Sequence, residues 1–151
     1  MLNNDYKDIL LALSNRNVKF LLVGAYAMAA HGYPRATMDI DLWVMSDPEN
    51  AILVLQALED FGAPCGNLSP DDVQKEGLIF QIGVAPRRID ILTSVDGLTF
   101  EDAFAHSSTI EIEGIPVQVL STADLIKNKR STGRTKDWAD AEFLAGGDSH
   151  P

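Results

Sequence analysis

The sequence has one cysteine, Cys65, and so cannot form a disulfide within a single chain. It also lacks a run of about 20 apolar residues, the length that a helix needs to cross a bilayer. Its first residues, 1–5, do not show the basic and then apolar order of a secretory signal. These absences lead us to expect a cytoplasmic protein without a membrane partner.

Positive charge is scarce and unevenly placed. The chain has 12 Lys and Arg against 22 Asp and Glu, a formal net charge of −10. Non-specific binding to duplex DNA needs many cation–phosphate contacts, so we do not expect it. The segment 127–136 nevertheless holds five cations, namely Lys127, Lys129, Arg130, Arg134 and Lys136. This cluster favours a small phosphate-bearing ligand, and a solvated helix end is the simpler alternative.

The order of apolar patterns predicts the fold class. Neither a repeat nor a linker divides the 151 residues, so we expect one domain over residues 1–151. Periodicity and turn residues predict helices over 5–13, 25–31, 48–61, 100–105, 122–129 and 135–144, and strands over 19–23, 39–44, 78–84, 88–92, 109–112 and 115–119. The remaining stretch, 62–77, reads as a loop with room for one short helix. This interleaving predicts an α/β or α+β fold, a mixed sheet flanked by helices.

The helix over 48–61 has the clearest local signals. Asp47 is a suitable capping residue, and Pro48 fits the first turn. Ile52, Leu55 and Leu58 recur at helical spacing, which predicts that they form the buried stripe.

Two carboxylates lie on one face of a predicted strand. Side chains two residues apart on a strand share a face, so Asp39 and Asp41 point together while Ile40 and Leu42 point to the opposite side. Like charges at that distance repel unless a cation lies between them, and Mg²⁺ prefers oxygen ligands of this kind. An Asp-x-Asp triplet also arises by chance, and a surface pair is the alternative.

Two further residues strengthen the metal interpretation. Asp90 is an acid inside another strand-like apolar run, where acids are depleted. It completes a three-carboxylate cluster if the two strands are neighbours, and otherwise pairs with Arg87 or Arg88. Gly24 lies where a buried strand gives way to a helix, a position at which backbone amides can approach a phosphate.

These residues resemble the DNA-polymerase-β-like nucleotidyltransferase superfamily, especially its minimal single-domain bacterial members. The superfamily pattern matches Gly24-Ala25, then Asp39-Ile40-Asp41, then Asp90. The string from His31 to Asp41 is similar to an uncharacterised branch that has toxin-like relatives. Matching C-terminal residues lie at 125–129, at 133–137 and at Asp140. One departure is Ala25, which stands where Gly or Ser is usual and so offers an amide but no hydroxyl.

The resemblance implies an Mg²⁺-dependent, or Mn²⁺-dependent, transfer of a nucleoside monophosphate from a nucleoside triphosphate such as ATP. Asp39, Asp41 and Asp90 would hold the metal ions, with Asp90 helping to deprotonate the attacking group. Triphosphate-binding residues would be Gly24, Ala25, Lys129, Arg134 and Lys136. Arg35 and Thr37 share the strand parity of the two aspartates and are further candidates, although Arg35 could equally tie down its loop.

Other polar and aromatic residues are assigned structural roles. We expect His31 to bond to backbone at a helix end, and Asp137 and Asp140 to face solvent or pair with Lys136 and Arg134. Trp138 reads as a packing residue, with a position near a base as the alternative.

Two other functions compete with transfer. One is a non-catalytic module that binds nucleotide or a partner protein, as an antitoxin or sensor does, and the other is a metal-dependent phosphohydrolase. The acceptor is not identified by the sequence and could be a protein, an RNA or a small molecule. Because no separate substrate domain is recognisable, a partner protein or a second copy of the chain is expected to complete the site, and a role in a toxin–antitoxin pair is a further expectation.

Overall fold

The predicted helices and strands are present with small shifts at their ends. The computed structural model describes residues 2–33, 39–84 and 87–148. Within them the strands are β1 (Phe20–Val23), β2 (Ile40–Val44), β3 (Ile79–Ile82), β4 (Ile89–Leu92), β5 (Ser108–Ile112) and β6 (Ile115–Val119). The helices are α1 (Asn4–Asn15), α2 (Gly24–Ala30), α3 (Pro48–Phe61), α4 (Pro70–Val73), α5 (Phe100–His106), α6 (Thr122–Ser131) and α7 (Thr135–Asp148). The short helix α4 lies in the expected loop, and α7 continues four residues beyond its predicted end.

The strands of the described residues form one mixed sheet in the order β3-β4-β2-β1-β6-β5. Strand β2 is parallel to β4 and antiparallel to β1, and β1 is parallel to β6. The two edge strands are antiparallel to their neighbours. This topology confirms the predicted α/β class, and it makes β2 and β4 neighbours although about 50 residues separate them in sequence.

Helix α3 begins as predicted but buries a different face. Asp47 caps it, accepting a hydrogen bond from the Asn50 amide at 2.8 Å. The fully buried apolar side chains are Ala51, Val54, Ala57 and Leu58. Ile52 is 49% exposed and Leu55 only half buried, so the predicted stripe is wrong in all but Leu58. Alanine side chains can pack in a core as closely as larger ones, so residue size does not reveal which face of α3 is buried. The neighbouring elements decide it.

The hydrophobic core lies along the central strands. Leu21, Leu22, Ile40, Leu42 and Ile91 are essentially inaccessible to solvent. Helix α1 packs on α3, and α6 packs on α7. Among the helices described, none combines the length and the apolar character that crossing a membrane requires.

Candidate active site

The carboxylates of Asp41 and Asp90 are brought together by strand register. In the parallel pair β2–β4, Asp41 lies directly opposite Asp90, and in the antiparallel pair β1–β2 it lies opposite Val23. Residues paired across adjacent strands point to the same face of a sheet. Asp39 directly precedes β2, and its Oδ1 accepts a hydrogen bond from the Arg88 amide at 3.2 Å. The three predicted acids therefore lie together at one end of β2 and β4.

The Arg88 side chain links two of the three acids. Its Nε and Nη2 donate to Asp90 Oδ1 and Oδ2 at 2.8 and 3.2 Å, and Nη2 also lies 3.1 Å from Asp39 Oδ2. The alternative that Asp90 pairs with an arginine is thus observed alongside the carboxylate cluster. Sequence reasoning gave Arg88 no role in the site, although it alternates with Asp90 on the same strand face.

Asp41 experiences an excess of negative charge. Burial is the largest cause that raises the pKa of Asp41, followed by the charge of Asp90, a hydrogen bond with its carboxyl and the charge of Asp39. Arg88 opposes these effects, and the resulting pKa is about 7. A carboxyl normally titrates near pH 4, so its ionised form is disfavoured here. A bound cation would offset that penalty by favouring the ionised form.

The donor chemistry suits a hard divalent cation, but the side chains are arranged for Arg88. Carboxylate oxygens are the ligands that Mg²⁺ and Mn²⁺ prefer. In the part of the chain that the structure describes, no group of three or more His, Cys, Asp or Glu side chains stands ready to hold a metal ion. Two of the acids direct their oxygens at a guanidinium instead. Arg88 therefore contacts oxygens of Asp39 and Asp90 that a metal ion would also use.

Gly24 is packed against Asp41. Its φ is +69°, and a Cβ at this position would lie 2.5 Å from Asp41 Oδ2. Positive φ disfavours residues with a side chain, and a Cβ here would push the Asp41 carboxylate aside. Gly24 begins α2, so its amide and that of Ala25 belong to the first turn of that helix. The glycine brings backbone donors next to the carboxylates.

A cleft of about 380 Å³ opens beside Asp41. One wall consists of Val23, Gly24 and Asp41, and the facing wall comes from α6 and the residues after it. That facing wall includes Asn128, Lys129, Thr132 and Arg134. The loop after β4 closes a third side with residues 94–96. Asp41, alone of the three predicted acids, thus lines the same cleft as Lys129 and Arg134.

The loop after β4 is fixed against α6. The Asn128 Nδ2 donates to the Asp96 carbonyl at 3.0 Å. A Cβ on Gly97 would collide with Ser131 Oγ, so the loop and the helix are in direct contact. Sequence reasoning missed Asp96, Asn128 and Thr132 as lining residues because nothing in their spacing distinguishes them from ordinary helix and loop residues.

Of the predicted phosphate-binding cations, Lys129 and Arg134 line the cleft. The Lys136 side chain, Arg35 and Thr37 lie outside the part that the structure describes. His31 bonds to backbone as predicted, with its Nε2 2.8 Å from the Leu120 carbonyl oxygen.

Two expectations for α7 need correction. Asp137 and Asp140 are buried rather than solvent-facing. Asp137 does pair with Arg134 as one alternative held, and it also pairs with Lys129, which was not anticipated. Trp138 is 47% exposed, with the Arg130 guanidinium over its ring, so it is not a core residue. In both cases the contact of α7 with α6 decides which side of the helix is inside.

Comparison with known proteins places the fold. No protein-family model matches the chain, and no curated protein matches its sequence. A provisionally assigned nucleotidyltransferase of Thermotoga maritima is similar in structure, with a TM-score of 0.61, 17% identity and coverage of 97% of this chain and 94% of that one. The antibiotic-resistance factor ANT(2'')-Ia is similar in its solution structure, with a TM-score of 0.60, 18% identity and coverage of 97% and 83%.

A crystal structure of ANT(2'')-Ia in complex with adenylyl-2''-tobramycin gives the same result. Its TM-score is 0.60 at 17% identity, with coverage of 96% of this chain and 87% of that one. At such identities the likeness concerns the fold. The chain therefore has a nucleotidyltransferase fold, which confirms the fold that the sequence resemblance implied.

Proposed function

We propose that this chain is a divalent-metal-dependent nucleotidyltransferase that moves a nucleoside monophosphate from a nucleoside triphosphate to an acceptor hydroxyl or amine. The observation that supports this most directly is the meeting of Asp39 and Asp90 with Asp41, which packs on Gly24 and lines a cleft together with Lys129 and Arg134. Anionic phosphates need cations and backbone donors, and metal ligands need carboxylates. The cleft, with a volume of about 380 Å³, is lined by both cations and a carboxylate.

In the proposed reaction the acceptor atom bonds to the α-phosphorus, the bond to the β-phosphate breaks, and pyrophosphate leaves. Mg²⁺ or Mn²⁺ held by Asp39, Asp41 and Asp90 would neutralise charge on the attacking and leaving oxygens. The amides of Gly24 and Ala25 donate to the triphosphate. Lys129 and Arg134 bind the triphosphate, and Asp90 accepts the acceptor's proton.

Three residues enter the proposal on sequence grounds. Arg35, Thr37 and Lys136 are assigned to the phosphate-binding set because of their spacing from the carboxylates and the cation cluster. The acceptor is left as a class, namely a protein, an RNA or a small molecule. The adenylylated tobramycin bound by ANT(2'')-Ia makes a polyhydroxylated small molecule a reasonable first acceptor to assay.

The decisive experiment compares the wild type with Asp41→Asn. Each protein is incubated with α-labelled nucleoside triphosphates, Mg²⁺ or Mn²⁺, and a cell lysate or an aminoglycoside panel, and label is followed into protein, RNA and small-molecule fractions. We expect label transfer by the wild type and none by Asp41→Asn. The protein fraction includes the chain itself, so transfer of label to a second copy of the chain would also be detected. A matched control is Asp60→Asn, which removes an equal charge from an exposed pair with Arg16.

Each other outcome selects a different function. Nucleotide binding without label transfer to any fraction would favour the non-catalytic module, and release of free labelled monophosphate alone would favour a phosphohydrolase. Equal transfer by the wild type and Asp41→Asn would refute the assignment of the carboxylates.

A further inference from the structure

Asp137 is a buried carboxylate that bonds to three residues lining the cleft beside Asp41. Only 3% of the residue is exposed. Its Oδ2 accepts hydrogen bonds from Arg134 Nε at 2.6 Å and Thr132 Oγ1 at 2.7 Å, and its Oδ1 lies 3.4 Å from Lys129 Nζ. Lys129, Thr132 and Arg134 are the part of the facing wall closest to the turn between α6 and α7. One buried carboxylate therefore bonds to three of the cleft-lining residues.

We propose that Asp137 is a positioning residue that holds Lys129 and Arg134 in place for the triphosphate, an inference that rests on the proposed nucleotide site. Lysine and arginine side chains are long and lose much rotamer freedom when they bind. Cations that are already fixed lose less of that freedom, so they bind an anion more tightly.

Asp137 is suited to fix both cations because burial and hydrogen bonds constrain its own position. It lies in the first turn of α7, and the Thr132 hydroxyl occupies one of its lone pairs. Asp140, one turn further along, is also buried and lies 3.7 Å from Lys129 Nζ, so the lysine is held between two successive turns of α7. Such short, charge-assisted contacts define direction as well as distance.

If Asp137 acted only through its charge, replacing it would have the opposite effect on phosphate binding from that expected for a positioning residue. A carboxylate next to two cations reduces the positive potential of the wall, so its neutralisation would strengthen phosphate binding if charge alone mattered. Positioning predicts weaker binding instead. The sign of the change in affinity therefore separates the two roles.

The test measures the affinity of wild type and Asp137→Asn for ATP, ADP, AMP and adenosine by isothermal titration. We expect Asp137→Asn to weaken ATP binding by about tenfold, the magnitude expected for loss of a hydrogen bond to a charged group. The loss should decrease with each phosphate removed and vanish for adenosine. In transfer assays KM for ATP should rise, with a much smaller change in kcat.

A matched control exists on the same pair of helices. Glu142 on α7 pairs with Arg130 on α6 at 3.0 Å, and both side chains are exposed. Glu142→Gln removes the same charge without touching the cleft and should leave all four affinities unchanged. Asp137→Glu, which keeps the charge, should recover part of the ATP affinity.

Three results would overturn the inference. The first is that Asp137→Asn binds ATP as tightly as the wild type or more tightly. The second is that Asp137→Asn loses as much affinity for adenosine as for ATP. The third is that Glu142→Gln weakens ATP binding as much as Asp137→Asn does. Circular dichroism and thermal unfolding distinguish a folding defect from a loss of affinity. A folding defect would lower the fraction of protein that binds ATP and leave the affinity of the folded fraction unchanged. If ATP binding depends on Asp137 but the chain transfers no nucleotide, the proposed transferase function is refuted and the positioning role of Asp137 is not.

Discussion

Arg88 donates through Nε to Asp90 Oδ1 at 2.8 Å, and the same guanidinium reaches Asp39 Oδ2 at 3.1 Å. Two of the three proposed metal ligands are therefore held by an internal cation. Since the guanidinium already bonds to oxygens that a metal ion would use and places a positive charge beside them, we expect Arg88 and a divalent metal to compete for the same carboxylates. The competition has consequences that can be measured without an acceptor.

Arg88→Gln should bind a divalent metal more tightly than the wild type. The metal no longer has to displace a guanidinium, and three acids without a counter-charge gain more from it. We expect an affinity for Mn²⁺ that is about tenfold higher, equivalent to about 1.4 kcal/mol, together with a larger rise in Tm on adding the metal. Arg16→Gln, whose partner Asp60 is exposed, is the control. Unchanged Mn²⁺ affinity in Arg88→Gln would show that the guanidinium does not compete.

Gly24→Ala should damage both stability and the site. The positive φ alone costs an alanine about 1–3 kcal/mol, and the new methyl group also displaces the Asp41 carboxylate. Gly32→Ala separates the two effects, because its φ is +90° and a Cβ there would meet nothing within 4 Å. Urea unfolding should show both variants destabilised, Gly24→Ala more so. Only Gly24→Ala should lose metal and nucleotide binding, and a similar loss in Gly32→Ala would attribute the effect to backbone strain.

Asp137 should make stability depend on pH in the acid range. Burial raises the pKa of Asp137, but the Thr132 hydrogen bond and the charges of Lys129 and Arg134 outweigh it, so the pKa lies below its ordinary value. A lowered native pKa stabilises the fold above the unfolded pKa of about 3.9, and the gain is lost as pH falls through the native pKa. The Tm difference between wild type and Asp137→Asn should therefore be constant near neutrality and shrink below about pH 4. A difference that grew on acidification would contradict this sign.

The face that α3 buries can be tested with two substitutions of similar size. Leu58 is fully buried, so Leu58→Ala should reduce the free energy of unfolding by about 2–5 kcal/mol. Ile52 is half exposed, and Ile52→Ala should cost less than about 1 kcal/mol. Chemical denaturation of both variants gives the comparison. Equal losses would restore the stripe that the spacing predicted.

Local patterns were sufficient where the residues that decide an element lie next to each other. Asp47 and Pro48 define the start of α3, and Glu113-Gly114 defines the β5–β6 turn, where both residues have positive φ. Alternation likewise placed Ile40 and Leu42 in the core and the neighbouring acids on the opposite face. Local patterns could not decide which face of α3 is buried, because Ile52 and Val54 both belong to plausible apolar stripes.

The sequence by itself determined the order of helices and strands, the pairing of Asp39 with Asp41 on one face, and the special position of Gly24, since each depends on chain geometry over a few residues. Only the tertiary structure decided that β4 lies beside β2 and brings Asp90 to Asp41, that Arg88 lies among these acids, and that Asp137 is buried behind Lys129 and Arg134. Those contacts join residues from different elements. Their energies depend on burial and on the charges that folding brings together, which a linear pattern does not contain.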